Sequence, residues 1–141
     1  MKLIDKLLKL EEINGRGLCP TYLYRWTLLR AKDWAAYLHH FVGDDWSLDL
    51  HDHPKRFISI GLWGSYRETT PKSERIYQSP WVRSFPADHI HRISMVNGGT
   101  AWTLVIVLKS VRQWGFWSAG KFIDWRTYVK SDTAQKRKAC P

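Results

Sequence analysis

The chain has 141 residues, 44% hydrophobic content and a net charge of +9. This length suits a single domain with a buried core, and the basic balance favours anionic partners. No run of residues approaches the ~18 apolar positions of a membrane span, which excludes an integral helical membrane protein. The first ten residues are also too charged for a secretory signal, and Cys19 and Cys140 are too few for a disulfide framework. We therefore expect a reduced, cytoplasmic protein.

The first predicted element is a short helix over residues 2–12. Its apolar residues recur near helical spacing, and Asn14 and Gly15 should end it. Beyond it the sequence changes to β-rich segments separated by turn residues. The predicted strands span residues 22–30, 35–42, 56–63, 65–70, 75–77, 81–85, 90–96, 101–108, 111–117 and 122–129. About eight to ten short strands predict an all-β sandwich or barrel.

The predicted domain organisation is simple. Residues 1–18 hold the helix and its lead-in, residues 19–130 form the β-domain, and residues 131–141 form a basic tail. This tail includes Lys136, Arg137 and Lys138, and a charged run of this kind is typically solvated and mobile.

Two histidine pairs dominate the chemistry of the sequence. They are His51-Asp52-His53 and His89-Ile90-His91. In a strand, residues i and i+2 point to the same face, while the residue between them points away. Imidazoles in such a pair can approach one metal ion at about 2.0–2.2 Å. Two pairs on neighbouring strands would supply three or four nitrogen ligands, so the sequence predicts a metal site on a β-scaffold, with Asp52 pointing away from it.

These motifs resemble those of the cupin family. A His-x-His unit opens the first cupin motif, and residues 86–91 are similar to the second, with Asp88 where glycine is usual. The resemblance covers roughly residues 20–130 and is greatest to small cupin-like proteins of bacteria and phages. It implies a single-domain jelly-roll barrel and pairing of two copies through their sheets. The implied metal ligands are His51, His53 and His91.

The resemblance departs from the usual cupin pattern at one ligand. Cupins commonly place a glutamate four or five residues after the second histidine, where this chain has Phe57 and Ile58. A three-histidine site is therefore implied, as in some thiol dioxygenases of the cupin superfamily. Three protein ligands leave open positions for substrate or water, which is typical of catalytic sites. Imidazole suits several metals, so the ligands alone do not identify the ion.

Several other residues are candidates for the same site. His39 is either an acid–base or supporting group in the cavity or a buried structural histidine, and His89 is either a fourth ligand or a turn residue. Asp49 either orients a ligand imidazole or stabilises a turn. Arg56 is a candidate for holding an anionic substrate, since guanidinium groups bind carboxylate and phosphate at two points. The predicted catalytic residues are therefore His39 and Arg56.

The predicted function is a metal-dependent enzyme. We favour Fe(II) and a dioxygenase-type oxidoreductase acting on a small anionic substrate. One alternative is a non-oxidative cupin enzyme, such as an isomerase, epimerase or lyase, using Zn, Mn or Ni. The other is a phage or bacterial binding module whose basic surface recognises a partner or nucleic acid, in which case binding should weaken steeply with salt.

Overall fold

β-Strands dominate the structure, as the alternation of the sequence predicts. The computed structural model describes residues 8–140. Its strands are β1 Leu10–Ile13, β2 Leu23–Arg30, β3 Ala35–Phe41, β4 Leu50–His51, β5 Lys55–Thr69, β6 Glu74–Gln78, β7 Trp81–Phe85, β8 Arg92–Met95, β9 Ala101–Ser110, β10 Gly115–Ser118 and β11 Lys121–Asp124. Two short helices follow, α1 Trp125–Val129 and α2 Asp132–Lys136.

The strands form two sheets. The larger sheet has the order β1-β2-β3-β9-β5-β6, and β7 and β8 also pair with β5. The smaller sheet has the order β11-β10-β4. All the pairs are antiparallel. This all-β architecture is the one expected from the sequence.

Strand β5 is shared by two parts of the larger sheet. Its first half pairs with β7 and β9, and its second half pairs with β6 and β8. The change occurs around Gly64, which has a φ of +77° and lies against the backbone of Thr100. Because glycine adopts positive φ without steric cost, the chain bends here without ending the strand. The two strands predicted over 56–63 and 65–70 are therefore one.

The inner faces of the sheets pack into two hydrophobic clusters. One lies among β2, β3, β5, β8 and β9, and the other joins the small sheet to the helices. Their buried members are Leu23, Phe41, Tyr66, Ile93, Met95 and Ala101 in the first, and Trp46, Phe116, Tyr128 and Ala134 in the second. Between the sheets lies a cavity of about 510 Å³. The fold thus leaves an open interior for a functional site.

The predicted helix over residues 2–12 is wrong for residues 10–12, although Leu8 is helical. Residues 1–7 lie outside the described part, and Leu10–Ile13 form strand β1. This strand pairs with β2 in the register Leu10 to Trp26, and Arg25 of β2 pairs with Glu11 at 3.1 Å. Edge pairing to an existing sheet overrides a weak helical pattern in so short a segment.

The C-terminal region also differs from the prediction. The predicted strand over 122–129 ends at Asp124, whose side chain accepts a hydrogen bond from the Arg126 backbone N–H and caps α1. Residues 131–140 are folded rather than a free tail, although Lys136 and Arg137 stay exposed. Ala134 of α2 is fully buried, and the Arg137 guanidinium lies 3.1 Å from Asp49. The domain boundaries themselves stay a prediction.

The two cysteines form a disulfide, contrary to the expectation of free thiols. Cys19 and Cys140 are 121 residues apart in sequence, and their Cα atoms lie 5.8 Å apart. Close to this bond, the Ala139 backbone N–H donates to the Trp46 carbonyl at 2.6 Å. Sequence spacing alone did not indicate that folding brings these ends together. Within residues 8–140, no helix has both the length and the apolar character needed to cross a membrane.

Candidate metal centre

Backbone pairing brings two of the predicted ligands face to face. His51 ends β4, and an isolated antiparallel bridge joins it to His91. Each residue donates its backbone N–H to the carbonyl of the other at 2.9 Å. Residues opposed in this way project their side chains from the same face. The imidazoles of His51 and His91 therefore point into the same space.

His53 completes a triangle of imidazoles. It lies two residues beyond His51, and its backbone N–H donates to the Ala87 carbonyl at 3.1 Å. The ring centroids of His51, His53 and His91 are 4.9–5.1 Å apart. One nitrogen from each ring lies within 4.8 Å of one nitrogen from each of the others, close enough for the three to face one ion. The structure thus brings the three predicted ligands together.

The imidazoles of this triangle suit a metal electrostatically. Burial, followed by the charge of neighbouring His91, lowers the pKa of His51 and of His53 well below the usual range. Both rings are therefore neutral, which is the form that binds a cation. The Nδ1 atom of His53 is buried and has no hydrogen-bond partner among the described residues. Two neutral imidazoles, one of them with an unpartnered buried nitrogen, fit a divalent metal.

Glu68, in the second half of β5, belongs to the centre although no sequence motif indicates it. Its Oε2 lies 2.6 Å from His91 Nδ1 and 3.0 Å from His89 Nε2, while its Oε1 accepts from Arg83 at 2.7 Å. Burial acts to raise the pKa of Glu68, but the three hydrogen bonds outweigh it and hold the carboxyl ionised. A carboxylate bonded to Nδ1 leaves Nε2 of His91 as the nitrogen available to a metal.

His89 belongs to the Glu68 contact rather than to the triangle. It follows a turn in which its backbone N–H donates to the Pro86 carbonyl at 3.1 Å, and its ring lies 4.9 Å from that of His91. Glu68, His89 and His91 form a second group with metal-binding spacing. His91 is common to both groups.

The structure places the two predicted catalytic residues very differently. His39 lines the cavity, and burial together with the charge of Arg25 lowers its pKa to about 3. Arg56 is exposed and is not among the residues that line the cavity. Its neighbours Lys55 and Phe57 line it instead, because alternate residues of a strand face opposite sides. A direct role for Arg56 at the site therefore finds no support in its position.

Both aspartates of the first histidine segment have structural partners. Asp52 points away from the triangle, as predicted, and accepts hydrogen bonds from the Gly115 backbone N–H and Trp117 Nε1. Asp49 accepts from the Tyr128 hydroxyl at 2.6 Å and from Arg137. Neither alternative suggested for Asp49 describes this contact, which anchors the C-terminal helices.

Aromatic rings surround the triangle on several sides. Phe57 lies 4.8 Å from the ring of His53, Trp114 and Phe116 lie 6.4 and 6.1 Å from that of His51, and Phe85 lies 6.0 Å from that of His91. These rings also line the cavity. The centre is therefore an apolar pocket with a few polar groups, which is typical of a small-molecule site.

Comparison with known proteins identifies the architecture. No family model and no curated protein matches the sequence. An RmlC-like cupin from Shewanella frigidimarina NCIMB 400 is similar in structure over 74% of this chain and 86% of its own, with 14% identity and a TM-score of 0.55. The chain adopts the cupin fold.

Two further structures extend the likeness of this cupin fold. The polyketide cyclase RemF from Streptomyces resistomycificus is 14% identical, covers 92% of both chains and gives a TM-score of 0.65. The DMSP lyase DddQ from Ruegeria pomeroyi DSS-3 is also 14% identical, over 76% of this chain and 59% of its own, with a TM-score of 0.61. At these identities the comparisons establish the fold, and the chemistry must come from the site.

Proposed function

We propose that this cupin-fold protein is a metal-dependent enzyme whose ion is held by His51, His53 and His91. The observation that carries this proposal is the triangle of imidazoles, with ring centroids 4.9–5.1 Å apart, at the wall of a cavity of about 510 Å³. Glu68 supports it by fixing the orientation of His91.

The reaction that we favour is an Fe(II) dioxygenase-type oxidation of a small anionic substrate. A divalent ion in a three-histidine site keeps open positions and supplies Lewis-acid or, as Fe(II), redox chemistry there. The aromatic walls around it limit access of water. Arg25, Arg30 and Lys55 line the same cavity and supply the positive charge that an anionic substrate needs.

A non-oxidative reaction using Zn, Mn or Ni is the second candidate. It is favoured by the Glu68–His89 pair, in contact at 3.0 Å, because a carboxylate and an imidazole in contact can hold and move a proton and because His91, which binds Glu68, connects this pair to the cavity. Isomerases, epimerases and lyases need such a group. Two of the structurally similar proteins are named as a cyclase and a lyase.

The test is elemental analysis of untagged protein. Wild type should carry a stoichiometric divalent metal, and His53→Ala should lose it. His40→Ala is the matched control, because His40 stacks on Trp102 with a ring separation of 3.9 Å and does not line the cavity. Absence of metal from wild type, or its retention in His53→Ala, would contradict the proposal. Oxygen consumption by the Fe(II)-loaded protein then separates the two reaction types.

Other expectations from the sequence stay predictions. The Cys19–Cys140 disulfide counts against the predicted cytoplasmic location, since reducing compartments disfavour such bonds. Among these expectations are pairing of two copies through their sheets and binding to nucleic acid.

A further inference from the structure

A polar row crosses the cavity wall away from the histidine triangle. It consists of Arg25 on β2, His39 on β3 and Thr103 on β9, all of which line the cavity. The register pairs Arg25 with His39 and His39 with Thr103. Directly paired residues on adjacent strands share a face. The three side chains are therefore neighbours on one inner surface.

Each member of this row has an unsatisfied buried atom. Among the described residues, Arg25 Nε, His39 Nε2 and Thr103 Oγ1 have no hydrogen-bond partner. Buried polar atoms are nearly always paired in folded proteins, so three unpaired atoms in adjacent positions need an explanation. A ligand that supplies the missing partners is one, because these atoms lie at the wall of an open cavity.

The chemistry of the row selects an acceptor with negative charge. Glu11 binds Nη2 of Arg25 at 3.1 Å but leaves its Nε–H without an acceptor. His39 is neutral and presents either a donor or an acceptor, while Thr103 presents a hydroxyl. Arg30 and Lys55 add positive charge to the cavity. The carboxylate of Asp45, which also lines the cavity, lies beside the triangle, 3.7 Å from His51 Nδ1.

The row is separated from the triangle along β5. Phe57, whose ring contacts His53, is four residues before Gly61, and Gly61 is the β5 partner of Thr103. At a rise of about 3.3 Å per residue, these two levels are roughly 13 Å apart. A ligand that reaches both ends must be extended, with its acidic group distant from the reacting atoms.

We propose that Arg25, His39 and Thr103 form a carboxylate-binding subsite that holds the acidic end of the substrate while the other end faces the histidine triangle. The inference deepens the proposed function and rests on it for the role of the second end alone. Carboxylate binding by the row itself does not require a metal. The substrate class is then an elongated organic acid rather than a compact anion.

The experiment measures binding of straight-chain carboxylates, from acetate to hexanoate, with the matching primary amides as neutral probes. Calorimetry and imidazole NMR are used on wild type, Thr103→Val, Arg25→Gln and Thr27→Val. Thr27→Val is the matched control, since its hydroxyl is also buried and unpartnered but does not line the cavity. Melting temperatures establish that each variant is folded. All titrations are run on metal-free and on metal-loaded protein.

We expect carboxylates to bind wild type and Thr27→Val alike and to shift the His39 imidazole signals in both metal states. Affinity should fall by about tenfold in Thr103→Val and more in Arg25→Gln, because hydrogen bonds to charged groups are the stronger ones. Equal binding of amides, equal binding by Thr103→Val, or no binding would overturn the subsite. Binding that persists when elemental analysis finds no metal would refute the proposed function alone.

Discussion

At the scale of single residues, the centre depends on keeping imidazoles neutral and oriented. Burial keeps His51 and His53 uncharged, but it does not fix how a ring is turned. His91 is turned by Glu68, whose carboxylate is itself 3% exposed and held by Arg83. The acid thus acts on the metal through His91 and is a positioning residue.

Replacing Glu68 with glutamine tests this role. Glu68→Gln keeps the size of the side chain but removes the charge that orients Nδ1 of His91. We expect metal affinity to fall by about 10- to 100-fold, the range found when such supporting carboxylates are lost. Calorimetric titration of metal into metal-free protein measures the change. Full rescue by Glu68→Asp is not expected, because the shorter side chain cannot keep all three contacts.

The matched control for this prediction is Glu74→Gln. Glu74 is exposed and pairs with Arg67 at 3.4 Å on the surface, so its loss removes one charge without touching the centre. Metal affinity should stay at the wild-type value. An equal loss in both variants would mean that net charge, rather than orientation of His91, controls binding.

Sequence spacing and the cupin resemblance together predicted the triangle but not its support. His51 and His53 share a strand-like face by alternation, and the resemblance supplied His91. Glu68 was missed because its neighbours come from strand pairing: β5 and β8 pair Glu68 with Ile93, two residues from His91. Arg56, predicted to hold an anionic substrate, is exposed and does not line the cavity, because adjacent residues of a strand face opposite sides.

At the scale of elements, the bend of β5 determines whether the centre can form. The first half of β5 carries Phe57 against His53, and the second half carries Glu68 against His91. Gly64 lies between them at positive φ, and a Cβ there would clash with the Thr100 carbonyl oxygen. The close approach and the conformation both require glycine.

Alanine at this position should therefore be costly. We expect Gly64→Ala to lower the free energy of unfolding by about 2–4 kcal/mol, combining a positive-φ penalty of about 1 kcal/mol with backbone displacement. Urea denaturation of the purified variant measures it. Gly98→Ala is the control, since Gly98 has a φ of +70° with nothing within 4 Å of an added Cβ. A similar loss in the two variants would show that the Thr100 contact is unimportant.

Strand existence was well predicted from alternation and turn residues, whereas the ends of the chain were not. Strands β2, β3, β7 and β9 lie close to their predicted ranges. The region after Asp124 is helical because Asp124 caps it, although Trp125–Val129 is rich in strand-favouring residues. Here capping and the complete burial of Tyr128 outweigh the local preference for a strand.

At the scale of the whole molecule, the C-terminal segment binds to earlier parts of the chain. The Leu48 backbone N–H donates a hydrogen bond to the Arg137 carbonyl at 2.7 Å, and the Ala139 N–H donates to the Trp46 carbonyl at 2.6 Å. This places α2 against the segment that leads into β4, which carries His51. The Cys19–Cys140 disulfide makes this attachment covalent, and it encloses nearly the whole chain.

Reducing the Cys19–Cys140 disulfide should destabilise the protein without changing its fold. A cross-link with a sequence separation of 121 residues removes much of the freedom of the unfolded chain, so reduction should lower the free energy of unfolding by about 2–5 kcal/mol. Urea denaturation with and without reductant measures the loss. The double variant Cys19→Ser, Cys140→Ser should have the same free energy of unfolding as the reduced wild type, and reductant should not change it. Two titratable thiols in unreduced, denatured wild type would contradict the bond, and unchanged stability on reduction would mean that the non-covalent contacts of α2 suffice to hold the ends together.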